Sequence, residues 1–503
     1  MLGITRSNAS YQKTVLRELR LLVQTRPDQI REYEDAIAKM LILNLDPLIP
    51  IITPYYPPIG RPAEWQVEIF RSLVLMQHCQ VKLDNWVEKL THNPVLRTIA
   101  GLKDGCIPQT ASYYDFINRF FPLKERPEVR GKQPKPDKSQ QPNNGEKWQT
   151  KHPGIVDKLV EKLIDDEAKF MSHLSRRPEK LLQRIFADVA VFSSKELGLI
   201  PDSVNISGDG TCIETGASHY GKAICHCRNN GIYKCDCPRK FSDPNAVWGW
   251  DSSKKRWFYG YTGYFISTYN IDLKLDLPLY LRLVEASRHD SVSAVFALAE
   301  FRELYPNLHI NTFISDSASD NYATYKLLNH WNANAVIALN TKNKGNPKYP
   351  PALKINENGV PICPGNRPMI YNGYCRDRCR FKWRCPRVVG KLATCEQCAS
   401  CSPSPYGRVI YTKADWDLRL FTRIPRGTDL WKSMMRQRTS SERINDRILL
   451  DYGVEESLTR GKKRISFFSF LAGINVHLDA QLKILKQRGE FNFNQLLGLG
   501  ELT

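Results

Sequence analysis

The sequence predicts an α/β protein: a mixed sheet with helices on its faces, a helical segment ahead of it and a cysteine-rich insertion within it. Three observations carry that prediction. Between residues 204 and 339, strand-length apolar runs alternate with helical patterns, in the order three strands, helix, strand, helix, strand. Before residue 122 the apolar spacing is helical. From 341 to 405 the chain turns rich in Pro, Asn, Gly, Lys and Cys, and neither period survives.

The elements follow in order. Leu16, Leu19, Leu22 and Val23 mark a helix over 14–45, and a proline-rich break runs from Pro47 to Pro62. Residues 63–121 form further helices, giving a helical N-terminal, DNA-binding domain over 1–121. Residues 122–153, rich in Pro, Lys, Gln and Asn, are too polar to bury a core and read as a linker, disordered or ordered only on a partner. Ile155 opens an amphipathic helical stretch to 198. Strands are expected at Val204–Asp209, where a glycine turn closes the run, then at Phe258–Thr268 and Pro278–Glu285. A helix Val292–Leu304, capped by Asp290 or Ser291, leads to a strand Ile310–Ser315, a helix Tyr322–Trp331 and a strand Ala335–Leu339. The core thus takes 154–340 and 406–490, interrupted by the insertion 341–405.

The chain has 503 residues and a formal charge of +20, from 72 Lys and Arg against 52 Asp and Glu. That excess favours a polyanionic partner, of which nucleic acid is the commonest. The most apolar late run, Ile465–Val476, is too short to span a bilayer and continues into His477 and Asp479. Residues 1–8 show no signal-peptide core, so a cytoplasmic, nucleoid-associated protein is expected.

Three acids stand out by context. Asp209 lies in Gly208-Asp-Gly-Thr, Asp316 follows the apolar run Ile310–Ser315, and Glu442 sits in a helical stretch behind Arg438. Carboxylates at the ends of neighbouring strands, joined by one from a helix, suit a pair of hard divalent cations. Three such groups close together repel and raise at least one pKa, a penalty that Mg2+ or Mn2+ removes. Arg438 lies one helical turn before Glu442, as a phosphate contact or an ordinary helix ion pair. Asp320 is an alternative to Asp316 that better suits capping the next helix, while turn or cap roles account for Asp251, Glu285 and Asp290.

In order along the chain come Gly208-Asp-Gly-Thr, Trp250-Asp251 with Phe258-Tyr-Gly-Tyr, His289-Asp-Ser, Ser315-Asp-Ser-Ala-Ser-Asp and Arg438-x3-Glu442-Arg443. That ordered set resembles the bacterial insertion-sequence DDE transposases over roughly 60–120 and 200–480. Related transposases often carry Tyr three residues before the Arg and Lys seven after the Glu, where this chain has Met435 and Leu449. The resemblance implies an RNase H-like core with Asp209, Asp316 and Glu442 as the catalytic, Mg2+-binding residues. It implies hydrolysis at the element's ends and 3′-OH attack on target DNA. Terminal inverted repeats, target DNA and a homodimer or larger assembly would be the partners. A zinc-bearing DNA-binding protein without chemistry, or a metal-dependent nuclease of the same fold, are the alternatives.

Cysteine numbers fourteen. Cys225-x-Cys227 and Cys235-x-Cys237, joined across an Asn-Gly turn signal, read as a closed four-thiolate Zn2+ site, with His226 a bystander. Cys363, Cys375, Cys379, Cys385, Cys395, Cys398 and Cys401 read as a second site, zinc with spare thiols; Cys385-Pro386 and Cys395-x2-Cys398-x2-Cys401 also suit an iron–sulfur cluster. Metal is expected to fold this otherwise core-poor segment. Arg376, Arg378, Arg380, Lys382 and Arg384, interleaved with Phe381 and Trp383, suggest a basic, aromatic DNA surface alongside Arg438 and Arg443. Cys79, Cys106 and Cys212 are expected to be buried.

Overall fold

The helix expected over 14–45 is three helices, Asn8–Thr25, Pro27–Glu32 and Glu34–Ile42. Pro27 lacks an amide for the ladder and drives Arg26 off helical backbone, to φ −141° and ψ 50°. The computed structural model describes every residue except 123–124, 137–152, 175–176, 341–347, 376, 391–394, 456–458 and 500–503.

Helix α1 (Gln66–His78) is buried nearly all round. Its Arg71 is buried too, and donates to the carbonyls of Met40 and Leu43 at 3.2 and 3.0 Å. It thereby satisfies orphan acceptors at the end of the preceding helix. Helix α2 (Ile155–Asp165) places Val160 and Leu163 against helices described below.

The main sheet begins with β1 (Ser203–Glu214), which runs five residues past Asp209, the expected end of the strand. β2 (Val247–Asp251), β3 (Arg256–Asn270) and β4 (Leu275–Glu285) follow. After them come α3 (Asp290–Leu304), β5 (His309–Ser315), α4 (Tyr322–His330) and β6 (Asn334–Ile337). The strand order is β2-β3-β1-β5-β6, with β2 and β4 sharing one edge of β3. β1 is antiparallel to β3 and parallel to β5, which is parallel to β6, so the sheet is mixed. Among the described strands β4 pairs only with β3, so Pro278 forfeits no ladder bond at the free edge; the register shifts beside it. α3 is capped by His289, whose Nδ1 accepts from the Ser291 amide at 3.3 Å, not by Asp290 or Ser291.

The predicted insertion carries its own antiparallel sheet: β7 (Ile370–Cys375), β8 (Arg380–Arg384) and β9 (Val409–Lys413). β9 therefore joins the insertion, not the stretch expected to belong to the core. This segment is not core-poor. Val360, Met369, Phe381, Trp383 and Phe421 bury a cluster of their own.

After α5 (Asp429–Arg436) and α6 (Thr439–Asp446), the chain enters α7 (Lys462–Gln487). α7 is buried on every side from Ile465 to Leu478, so it takes cover all round. β4 covers one side: a Cβ on Gly473 would fall 2.6 Å from Leu281 and 3.0 Å from Phe186. The N-terminal helices cover the other, Asn475 donating to the Val74 carbonyl at 3.0 Å. The helical segment before residue 122 and the sheet thus share one continuous hydrophobic core. Among the described residues no helix is long and apolar enough to cross a membrane.

Part of the expected linker is tied down. Val129–Arg130 pairs with Arg239–Lys240, which pairs with Lys222–Ala223. The Arg130 guanidinium lies 4.7 Å from the Phe241 ring centre. Residues 137–152 of that expected linker lie outside the described residues.

Candidate active site and metal centre

The parallel pairing of β1 with β5 ends at Ser207 opposite Ile314. Two residues beyond that last pair stand Asp209, still within β1, and Asp316, just past the end of β5, and the Asp316 charge bears on Asp209. Asp316 also accepts from the Ala318 amide at 3.0 Å, which opens the short turn Ser317–Ser319. Past Ser207, β1 has no partner on that edge among the described strands.

α6 lies over β1. Arg438, Glu442 and Asn445 recur at helical spacing and share one stripe. Asn445 donates to Asp209 at 3.2 Å, and the Arg438 charge bears on the same carboxylate. Glu442 is therefore on the stripe that faces Asp209, but its own carboxylate accepts from Arg438 at 2.7 Å.

Burial pushes Asp209 up to about 7, and the charges of Asp290 and Asp316 add to the rise; Arg438 and the Gly210 amide oppose it. Asp290 is pushed up to about 6 by burial and by Asp316, with His289 opposing. Asp290 is the acid that sequence reasoning set aside as a cap. The available signal was Gly210: a Cβ there would lie 2.7 Å from the Asp290 Cγ, so the glycine next to Asp209 makes room for a second carboxylate.

Other acids stay outside. Asp320 is buried, with both oxygens on Arg419; it also accepts from Tyr325 at 3.0 Å and from the Asn340 amide at 2.7 Å. Asp251 closes a turn, accepting from Ser253 N, Ser253 Oγ and Lys254 N at 3.0, 2.7 and 3.0 Å. Glu285 pairs with Arg126. Arg443 is held by Asp276 through two bonds of 2.6 and 2.8 Å.

No protein-family model matches the chain, and neither does any curated protein.

Cys225, Cys227, Cys235 and Cys237 bring their sulfurs within 4.8 Å of one another, the one such group of ligand atoms among the described residues. Two Sγ–Sγ distances are 3.6 and 3.5 Å. Four thiolates about 2.3 Å from a tetrahedral Zn2+ stand roughly 3.8 Å apart, so this cluster can hold such an ion with little movement. A turn at Cys227–Asn230, ended by Gly231 at φ 76°, brings the two Cys-x-Cys pairs together. His226 is not in the group.

The second set does not form one site. Cys375 and Cys379 stand at the Arg380 end of β8, and Cys385 follows its Arg384 end, roughly 16 Å along a strand. A single ion cannot take thiols from both ends. Cys395 and Cys363 instead face each other across Gly365, their sulfurs 3.2 and 3.7 Å from where its Cβ would sit. The charges of Cys363, Cys385 and Cys395 bear on Cys401, and Arg387 donates to Cys398.

Of the expected basic surface, Arg380, Lys382 and Arg384 alternate with Phe381 and Trp383 along β8. The aromatics are buried, because successive side chains point to opposite faces; only the three cations line the outer one. Arg380 stacks 3.7 Å from the Tyr411 ring centre. Arg378 is exposed in the β7–β8 turn, and Arg376 lies outside the described residues. Cys106 is exposed rather than buried, while Cys79 and Cys212 are half-buried.

Proposed function

We propose that this chain is a DNA transposase of the DDE kind, with an RNase H-like core. It would cut phosphodiesters at the ends of a mobile element in the presence of Mg2+ and join the freed 3′-OH to target DNA. The observation that supports the reading most is that Asp209 on β1 and Asp316 just past β5 each stand two residues beyond the last paired residues of those parallel strands, with Asn445 of the α6 stripe that bears Glu442 bonded to Asp209. The strand order supports it as well, with the first strand antiparallel to the second and parallel to the two reached through α3 and α4.

The residues suit hard divalent cations. The charges of Asp290 and Asp316 bear on Asp209, and the Asn445 Oδ1 beside it is buried with no hydrogen-bond partner among the described residues. Asp209, Asp316 and Glu442 would hold the ions, which supply an activated water and charge stabilisation at the phosphate. Arg438 is placed to meet a backbone phosphate; on doing so it would leave the Glu442 carboxylate free. With Arg438 engaged, Asn445 keeps Asp209 oriented through its amide. The +20 charge and the outer face of β8 offer phosphate contacts away from the acids, and Cys225–Cys237 offers a structural zinc site.

The test is incubation with Mg2+ and DNA carrying the element's inverted repeats, followed by mapping of 3′ ends. Asp209→Ala is expected to abolish cleavage while DNA still binds in EDTA. Cleavage at the wild-type rate by Asp209→Ala removes that carboxylate from the chemistry.

A further inference from the structure

The helical segment before residue 122 and the chain entering α7 enclose a cavity of about 590 Å3, which none of the acids or thiols described above lines. Three cations line it, Lys82, Arg460 and Arg464, against one acid, Asp84. That acid accepts from the Tyr114 hydroxyl at 3.0 Å. Among the described residues none of the three cations pairs with a carboxylate, whereas Lys462 beside them is spent on Glu179. Met76, Leu83 and Phe468 give the same cavity apolar walls, which keep water back and strengthen each charge.

Two of the cations are fixed in position. The Arg464 guanidinium lies 4.3 Å from the Tyr114 ring centre. Stacking of that kind leaves the N–H donors around the edge of the guanidinium plane, where phosphate oxygens accept them. Arg460 Nε donates to the Gly216 carbonyl at 3.0 Å. The loop that carries Arg460 is itself pinned next to the end of β1. The Gly216 amide donates to the Thr459 carbonyl at 3.2 Å, and the Gly461 amide donates to buried Asp243 at 2.9 Å.

The backbone around the cavity is built for a negative charge that the chain does not supply. Lys82 is the N-cap of the helix Leu83–His92, and no side chain caps that start. The first amides, at the cavity residues Leu83 and Asp84, are left without a side-chain acceptor. A lysine there adds positive charge to the positive end of the helix dipole, and Arg460, Lys463 and Arg464 do the same around the start of α7. An anion among them relieves both ends. Gln80, on the same wall, holds φ at 51°, a backbone that favours glycine, while its amide donates to the Asp451 carbonyl at 2.5 Å.

We propose, resting on the reading of this chain as a DNA-acting protein, that the cavity seats backbone phosphates of DNA on Lys82, Arg460, Arg464 and the first amides of Leu83–His92. β1 runs five residues, roughly 17 Å, from Asp209 to Glu214, just short of Gly216 and the pinned loop. A duplex advances about 3.4 Å per base pair, so the seat lies about five base pairs along β1 from Asp209. A free phosphate shares the chemistry, but the +20 charge of the chain favours the polymer.

The experiment is binding of a labelled duplex of about 30 base pairs, of arbitrary sequence, to the full chain in EDTA over about 50 to 200 mM salt. In the double variant Lys82→Gln/Arg464→Gln, both side chains being exposed, the slope of log affinity against log salt is expected to become shallower by about 1.8, two contacts at about 0.9 each. Lys82→Gln alone is expected to lose about half of that, with melting unchanged. Lys169→Gln, an exposed cation outside the cavity, is expected to keep the wild-type slope. A wild-type slope in the double variant, or an equal loss in Lys169→Gln, overturns the proposal. Inorganic phosphate separates the two sources: a melting rise seen in wild type and missing in the double variant, with the DNA slope unmoved, assigns the cavity to a free anion and overturns the DNA seat. Slope lost as expected, with no DNA cleavage by wild type in Mg2+, would instead sink the transposase reading and leave the seat standing.

Discussion

Asp316 and Asp320 stand one helical turn apart in sequence and have opposite fates. Asp316 faces a like charge across the strand gap, whereas Asp320 is locked to Arg419 in the interior. Breaking a buried pair by removing one partner costs about 3–5 kcal/mol. Asp320→Ala is therefore expected to lower urea stability by about that much, while cleavage per folded molecule persists. Loss of cleavage with unchanged stability would return Asp320 to the metal site. The placing of Asp209 on a strand, Asp316 just past one and Glu442 on a helix was legible because the sequence shows the period of each element. Asp290 was not: its reach to β1 depends on a gap at residue 210, and nothing local in His289-Asp-Ser says which strand will lie beneath it.

At the scale of elements, the strands and helices expected between 203 and 337 were each found within about five residues of their bounds, because their apolar periods are clean, while the short strands Lys222–Ala223, Arg239–Lys240 and Val247–Asp251 were missed. β8 was read as a surface of mixed cations and aromatics; alternation puts Phe381 and Trp383 inside, a distinction that needs the strand assignment first. The thiols divided likewise: four close in sequence gather around one turn, while the later ones sit at two ends of a strand. Cys235→Ser is expected to shed the zinc of the first cluster. Amide exchange should then rise at Lys222–Ala223 and Arg239–Lys240, the strands flanking it, and a uniform rise across the chain would argue against a local staple. α7 carries a pH response. Burial pushes His477 down to about 4, and burial with the Lys39 charge does the same to His78. The unfolded chain takes up those protons first, so stability is full above about 6.5 and falls as pH drops toward 4. In His477→Asn, which also gives up the bond between Nε2 and the Pro278 carbonyl, that acid-side loss should be shallower in urea titrations at pH 7 and 5.

For the molecule as a whole, the +20 charge predicts DNA affinity that falls steeply and linearly on a log scale as salt rises from 50 to 200 mM, by about a thousandfold if six phosphates are met. A flat response would detach the basic surface from DNA. The sequence led us to expect a helical domain, a linker and a catalytic core as successive units. The boundary at 121 does not separate two cores, since α7 lies between the early helices and the sheet, and a pattern read window by window cannot show that residue 475 will bond to residue 74.

That late helix imposes a timetable on the nascent chain. Neither the helices before residue 122 nor the sheet can close its apolar side until α7 has left the ribosome, after roughly half a minute or more of synthesis. A chain stalled ahead of Lys462 would therefore carry two unfinished halves rather than one finished module and one unfinished, and a chaperone's hold on it should last until α7 has emerged.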